Sequence, residues 1–287
     1  MFIEWKDEKF GLGISTIDTQ HRELITITNQ LHNIVDRENH QKEAIRILKQ
    51  LYAYTSYHFT SEEALQKEYG YPDLNGHIAT HRSFKEKIKE ELEGVRDKLN
   101  YPLAPIQDFL VEWILKHIKG EDVKYADYFK GRGIFPETNF SISAEKRSNV
   151  LDQWENQQLE LEIKGIDDQH KELIYILQQT NDLQHTSSSR KTLYIPVIIK
   201  KLFYYSQFHF SYEEEHMAKN GYPELKAHMT LHKGFIDKIR HFASEYGQGF
   251  SELTDEIILF LKDWTIGHIL QEDRKYKDFL IDKSVDR

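Results

Sequence analysis

The sequence predicts an all-α protein built as two tandem up-down-up-down four-helix bundles, each preceded by an extended N-terminal arm. Three observations carry that reading. Apolar residues recur at helical spacing through most of both halves, the connections between these runs are short, and the second half repeats the first at a nearly constant offset. The clearest part of the repeat is His58 to His81, which returns as His209 to His232, 151 residues later. Each copy has a His and a Glu four apart (His58, Glu62; His209, Glu213), a Gly-Tyr-Pro break, then two His four apart (His77, His81; His228, His232). Residues four apart on an α-helix are separated by about 40° and share a face, so each helix aims two ligand-type side chains at one place. A single His-x-x-x-Glu would be an ordinary solvated pair. Two pairs flanking a turn, repeated in register, argue for a site.

Taken in order, Trp5 to Ile17 lacks helical periodicity and contains Gly11 and Gly13, which predicts an extended arm over the first bundle. Asp18 then reads as the N-cap of a first helix carrying His21, with Leu24, Ile25, Leu31 and Val35 at helical spacing. A second helix starts near Gln41 and runs through Ile45, Leu48, Leu51, Tyr52 and Thr55 to the His58/Glu62 pair, stopping before Gly70. The third follows Pro72, carries His77, His81, Phe84 and Ile88, and ends near Asn100. Pro102 and Pro105 mark the next N-terminus, and the fourth helix runs through Phe109, Leu110, Trp113, His117 and Ile118 to about Phe129.

Periodicity fails from Gly131 to about Val150, so the expected division is a first domain at 1–135, a linker at 136–148 and a second domain at 149–287. A second arm starts at Trp154. Trp5 and His21 map onto Trp154 and His170 at an offset of 149, and the later ligand positions map at 151. The two extra residues are expected in or near His185 to Lys191, in a polar loop that tolerates insertion. Pro196 stands opposite Ile45, which is acceptable only if that helix begins close by or kinks there.

Composition limits the chemistry. With 287 residues, two domains of ordinary size are expected. Lys+Arg 38 against Asp+Glu 47 gives a net charge of -9, which disfavours nucleic acid as a partner because phosphate binding needs basic clusters. There is no Cys, which removes disulfides, thiolate metal sites and iron–sulfur clusters together. No apolar run approaches the roughly 20 residues that span a bilayer, and the start has no basic segment leading into an apolar run. No membrane partner is therefore expected, and the cytosol is the expected location.

The fourth helix of each copy adds His117 with Asp122 and His268 with Asp273, spaced five apart. On an ideal helix that separation is about 140°. Either the Asp reaches across from the side, or the helix is locally widened, as one-turn widenings at functional sites are. Each half then offers five His and two carboxylates: His21, His58, Glu62, His77, His81, His117 and Asp122; His170, His209, Glu213, His228, His232, His268 and Asp273. Seven ligands exceed what one first-row metal takes and suit two metals bridged by both carboxylates. Imidazole with bridging carboxylate favours a redox-active pair such as iron. His32, His40, His185, His216 and His241 match no ligand position and read as surface or partly buried side chains.

The segments GISTIDTQHREL, HFTSEE, GYPDLNGHIATH and WILKHIKGED of the first half, and GIDDQHKEL, HFSYEE, GYPELKAHMTLH and WTIGHILQED of the second, resemble bacterial hemerythrins over nearly the whole chain except the linker. The resemblance implies four-helix bundles, each holding a non-haem di-iron centre that binds dioxygen reversibly, so two irons per domain and four per chain, with an oxo or hydroxo bridge. It implies that His77, His81 and His117 hold one iron, that His21 and His58 hold the other, and that Glu62 and Asp122 bridge them. The iron with two His keeps an open position for dioxygen. In the second half, His228, His232 and His268, then His170 and His209, then Glu213 and Asp273 take these roles. Trp113, Ile114 and Ile118, with Trp264, Thr265 and Ile269, would line the ligand pocket. An imidazole-rich set should disfavour the higher-valent iron that oxygenation needs, so carriage of oxygen, for storage, delivery or buffering, is expected rather than enzymatic activity. The alternatives are an enzyme or sensor using the centre on peroxide or nitric oxide, or an iron reservoir, and an unidentified redox partner has a place in each. The sequence departs from the family where a Met is usual: Met217 fits, Gln66 does not. Thr265 stands where an apolar residue is implied. Its hydroxyl would either donate to the ligand or hold a water that speeds oxidation, unless Thr265 packs by its methyl and the halves behave alike; of the first two outcomes the second is expected, because Thr can bond a backbone carbonyl one turn back.

Overall fold

The computed structural model describes residues 2–35, 40–98, 100–134, 159–184, 188–247 and 255–282. The chain divides into two compact units, Met1–Ser143 and Ala144–Arg287. In the first unit a one-turn helix α1 (Asp7–Phe10) precedes α2 (Ser15–His32), α3 (Gln41–Glu68), α4 (Leu74–Asp97) and α5 (Ala104–His117); a π-helical turn, π1 (Ile118–Asp122), then leads into α6 (Val123–Gly131). The second unit repeats this as α7 (Lys164–Gln184), α8 (Ser188–Asn220), α9 (Leu225–Gly247), α10 (Asp255–His268), π2 (Ile269–Asp273) and α11 (Arg274–Asp282). Each unit is an up-down-up-down four-helix bundle, its last long helix formed by three consecutive segments. In the first, α2 packs against α3 and α5, and α3 against α4; in the second, α7 packs against α8 and α10, and α8 against α9.

Pro105 lies in the first turn of α5, where its missing N–H has no helical partner to lose. The Gly-Tyr-Pro breaks work through Gly70 (φ 65°) and Gly221 (φ 70°), which take the left-handed conformation that ends α3 and α8. Burial follows the helical stripes: Ile27, Leu31, Leu48, Leu51, Ile88 and Leu110 are buried in the first unit, and Ile166, Ile176, Leu202 and Ile239 in the second.

The arm differs from its expectation in two ways. Phe10 must turn inward to pack with Ile25, Val111, Ile114 and Ile118, and the chain meets that requirement with the turn of α1 rather than with extended backbone. Helix α2 begins at Ser15, so Asp18 lies inside its first turn and is not the N-cap. Its carboxylate instead accepts the backbone N–H groups of Leu12 and Gly13, at 2.8 and 3.1 Å, tying the arm to the helix. Asp167 does the same for Leu161. Ahead of α1, the Asn29 side chain donates to the Ile3 carbonyl at 2.8 Å and accepts the Ile3 N–H at 3.0 Å.

Pro196 sits within α8, which begins eight residues earlier at Ser188, so the helix does not start beside it. The proposed linker, Trp154 and His185 lie outside the described residues. No helix among the described residues is long and apolar enough to cross a membrane.

Candidate metal centre

In the first unit, α2, α3, α4 and α5 bring His21, His58, Glu62, His77, His81 and His117 to the bundle axis, and π1 adds Asp122; all seven are buried. The π-turn settles how a five-residue spacing can serve one site. Closing i to i+5 brings both side chains to one side, and His117 Nε2 stands 3.1 Å from Asp122 Oδ1. His268 and Asp273 do the same across π2, also at 3.1 Å.

Glu62 is the hub. Its oxygens lie 3.7 Å from His21 Nε2, 3.5 Å from His58 and His77 Nε2 and 3.2 Å from His81 Nε2. Asp122 lies 3.2 Å from His21 and 3.6 Å from His77. In the second unit Glu213 stands 3.5 Å from His170 and His209 and 3.3 Å from His232, and Asp273 stands 3.3 Å from both His170 and His228. The donor atoms fall into sets that could each hold an ion: Glu62 with His77, His81 and His117; Glu62 again with His21 and His58; Glu213 and Asp273 with His228, His232 and His268; Glu213 again with His170 and His209.

These side chains fit a cation and do not satisfy one another. His81 and His117 face each other Nε2 to Nε2 at 3.0 Å, as do His232 and His268. Two ligands about 2.1 Å from one metal and at right angles are about 3 Å apart. The buried His21 Nε2, His58 Nε2, both Asp122 oxygens, His228 Nε2, Glu213 Oε2 and both Asp273 oxygens form no hydrogen bond, although a buried polar atom without one is costly. All of them point to the same place in each bundle.

A surrounding layer fixes which ring nitrogen faces inward. His81 Nδ1 donates to Glu63 at 2.9 Å and His232 Nδ1 to Glu214 at 2.9 Å; His58 and His209 Nδ1 donate to the Gln20 and Gln169 carbonyls at 3.0 and 3.1 Å. Each bond leaves an Nε2 lone pair for the centre. Tyr125 donates to Glu62 Oε1 at 2.6 Å, and Tyr276 donates to Glu213. Phe59 stacks on His81 at 3.7 Å and Phe210 on His232 at 3.8 Å, while Trp113 and Trp264 stack on His117 and His268, each at 4.3 Å. Ile114 and Ile118 pack with Ile25, Ile269 packs with Ile174 and Leu159, and Thr265 is buried. The sequence reading missed Gln20, Glu63, Tyr125 and Phe59. The repeat held a signal for them, since each returns at its offset as Gln169, Glu214, Tyr276 and Phe210.

As the side chains stand, burial would lower the His170 and His228 pKa values, but the carboxylates of Asp273 and Glu213 facing these rings favour the protonated imidazole and outweigh it, and both are pushed up to about 9. Burial brings His209 down to about 3. Burial would raise Glu62, yet the imidazoles, His58 first, hold it well below the carboxylate range. Burial, and then the charges of Glu62 and Asp122, raise Tyr125 well above its ordinary value, so it keeps the proton it donates. His32, His40 and His216 are partly buried and His241 is exposed, away from the centres as expected.

Fold and site together define a cation centre of imidazole and carboxylate buried in a four-helix bundle. The model of the hemerythrin HHE cation binding domain matches the chain twice, over residues 12–129 and 161–280, and the chain belongs to this di-iron family. It is 33% identical over 135 residues to a bacteriohemerythrin of Stenotrophomonas maltophilia, covering 45% of this chain and 82% of that protein. It is 34% identical over 127 residues to one of Clostridium acetobutylicum (44% and 98%) and 31% identical over 128 residues to one of Campylobacter jejuni (45% and 96%). Each match spans about half of this chain, as two tandem domains require.

Proposed function

We propose that this chain binds dioxygen reversibly at one di-iron centre in each of two domains, residues 1–135 and 149–287, joined by a linker at 136–148. The observation that carries the reading is the unequal grouping of donors, three imidazoles with Glu62 on one side and two on the other. A metal in the smaller group keeps a position for a small ligand. In this reading His77, His81 and His117 hold one iron, His21 and His58 the other, and Glu62 and Asp122 both; His228, His232, His268, His170, His209, Glu213 and Asp273 serve the second domain. Two ferrous ions would supply the electrons that hold dioxygen. The chain's own residues do the rest: Glu63 and Gln20 hold the imidazole tautomers, Tyr125 keeps its proton on Glu62, and the apolar wall of Ile25, Ile114 and Ile118 keeps water away.

Anaerobic reduction followed by air titration with optical spectra tests this. Oxygenation that reverses under vacuum, without accumulation of ferric protein, is expected. Oxidation with no oxygenated form on rapid mixing would sink carriage.

A further inference from the structure

The second bundle holds a buried hydroxyl that the ligand set does not use. Thr265 lies on α10, three residues before His268 and one turn before Ile269. Its residue is 3% exposed, and its Oγ1 is buried and forms no hydrogen bond, not even to the carbonyl one turn back that usually takes a helical Thr hydroxyl. The reason for expecting that backbone bond to occupy it is thereby removed. The position is also informative. In the first bundle its counterpart Ile114 packs against Ile25 and Ile118, one turn along α2 from His21. In the second, Ile174, one turn from His170, packs against Ile269 and Leu159. By this register Thr265 lies on the side of α10 that faces α7, the helix that carries His170 of the group with two imidazoles.

We propose that Thr265 is a specificity-determining residue that offers the second centre a hydrogen-bond donor toward a small polar ligand, dioxygen or an anion such as azide, which the first centre lacks. This rests on the proposed function, in which a ligand takes the open position of the two-imidazole metal. The O–H bonds no acceptor among the described residues, and its counterpart Ile114 belongs to an apolar cluster, so a ligand atom with a lone pair is the partner the hydroxyl is missing. Ile114 can give nothing in return. The two centres then differ in ligand retention, not in metal ligation.

The test uses the full-length ferric protein with azide as the probe. Azide release should show two phases of similar amplitude, the slower about two- to tenfold slower, as one net hydrogen bond implies. Thr265→Val should merge the phases at the faster rate, and Ile114→Thr should slow the faster one. Thermal unfolding of the chelator-treated protein gives a readout without metal: Thr265→Val should raise the midpoint of the second unit by a few degrees, because an unpaired hydroxyl is removed. A single phase in the wild type, or two phases that Thr265→Val leaves unchanged, would overturn the inference while the proposed function stands, as would an unfolding midpoint lowered by that substitution. Failure of azide to bind either centre would overturn the proposed function as well.

Discussion

The two halves agree closely at the ligands and diverge one layer out. His58 and His209 each stand 3.5 Å from their Glu, and both facing imidazole pairs are 3.0 Å apart. Around them, Gln66 is replaced by Met217, Ile114 by Thr265, Ile45 by Pro196, and Gly13 by Glu162. Seven donor side chains converging on one place leave little freedom, since a shift in any one leaves a buried polar atom without a partner. The next layer only has to fill space, and there one fold has accepted polar for apolar and side chain for glycine. The comparison predicts halves that hold metal alike and differ in stability and ligand retention.

The strongest way to break the comparison is to empty one half. His77→Ala removes a donor from the group with three imidazoles, and iron should fall from about four to about two per chain, with the second centre's spectrum intact. Loss of all iron would show that the centres depend on each other.

The next effect concerns pH. In the unfolded chain His170 and His228 titrate near 6.5, and in the fold near 9. Their folded values are raised, so their contribution to metal-free stability is complete below about 6.5 and is lost as pH rises through 9. His209, lowered to about 3, acts oppositely, and its contribution is lost as pH falls below about 6.5 toward 3. Iron requires neutral imidazole, so iron affinity should rise over the window in which metal-free stability falls. Urea unfolding of chelator-treated protein at pH 6 and pH 9 checks this; equal stabilities of the second unit would contradict the raised values.

Much of this was legible because the chain repeats itself. The His and Glu positions, the Gly-Tyr-Pro turns and the helix order could all be read from spacing. The His117–Asp122 pair could not be settled that way, since a π-turn and a long reach fit the same five-residue interval. Asp18 was misread for a related reason: an Asp before an apolar run suggests a cap, but here the glycine before it lets the arm fold back so that the carboxylate binds two arm N–H groups. Tyr125 and Gln20 were missed because a contact with Glu62 or His58 across the bundle has no local period.

Gln66 sharpens the comparison at the level of stability. It is fully buried, and neither its amide nitrogen nor its oxygen forms a hydrogen bond, whereas Met217 packs in a cluster with Ile163, Ile166 and Tyr276. An unsatisfied buried polar group costs about 1–3 kcal/mol. Gln66→Met should stabilise the first unit by about that amount, and Met217→Gln should destabilise the second comparably, both read by urea unfolding. If Gln66→Met destabilised the first unit, an ordered water would be the partner the amide uses.

The smallest effect lies in the arms, where Gly13 (φ 78°) and its counterpart Glu162 (φ 61°) share the left-handed conformation. A Cβ on Gly13 would meet nothing within 4 Å, so substitution there is opposed by backbone conformation alone. That penalty is about 1–2 kcal/mol, and loss of glycine's freedom in the unfolded chain returns about 0.4–1 kcal/mol. Gly13→Ala should therefore destabilise the first unit by roughly 1 kcal/mol, the difference of those two terms. Glu162→Gly reverses both terms, but it also removes the ion pair in which Lys277 Nζ reaches Glu162 Oε1 at 2.5 Å. Glu162 is 68% exposed there, so the pair contributes only about 0–1 kcal/mol and is screened by salt. Glu162→Gly should thus leave the second unit nearly unchanged at low ionic strength and stabilise it at about 1 M salt, where the pair is lost to both proteins. Urea unfolding of the variant at the two salt concentrations separates the terms. Destabilisation at high salt would mean that the glutamate side chain holds the second arm by its stem, and that the arms of the two halves are fixed in different ways.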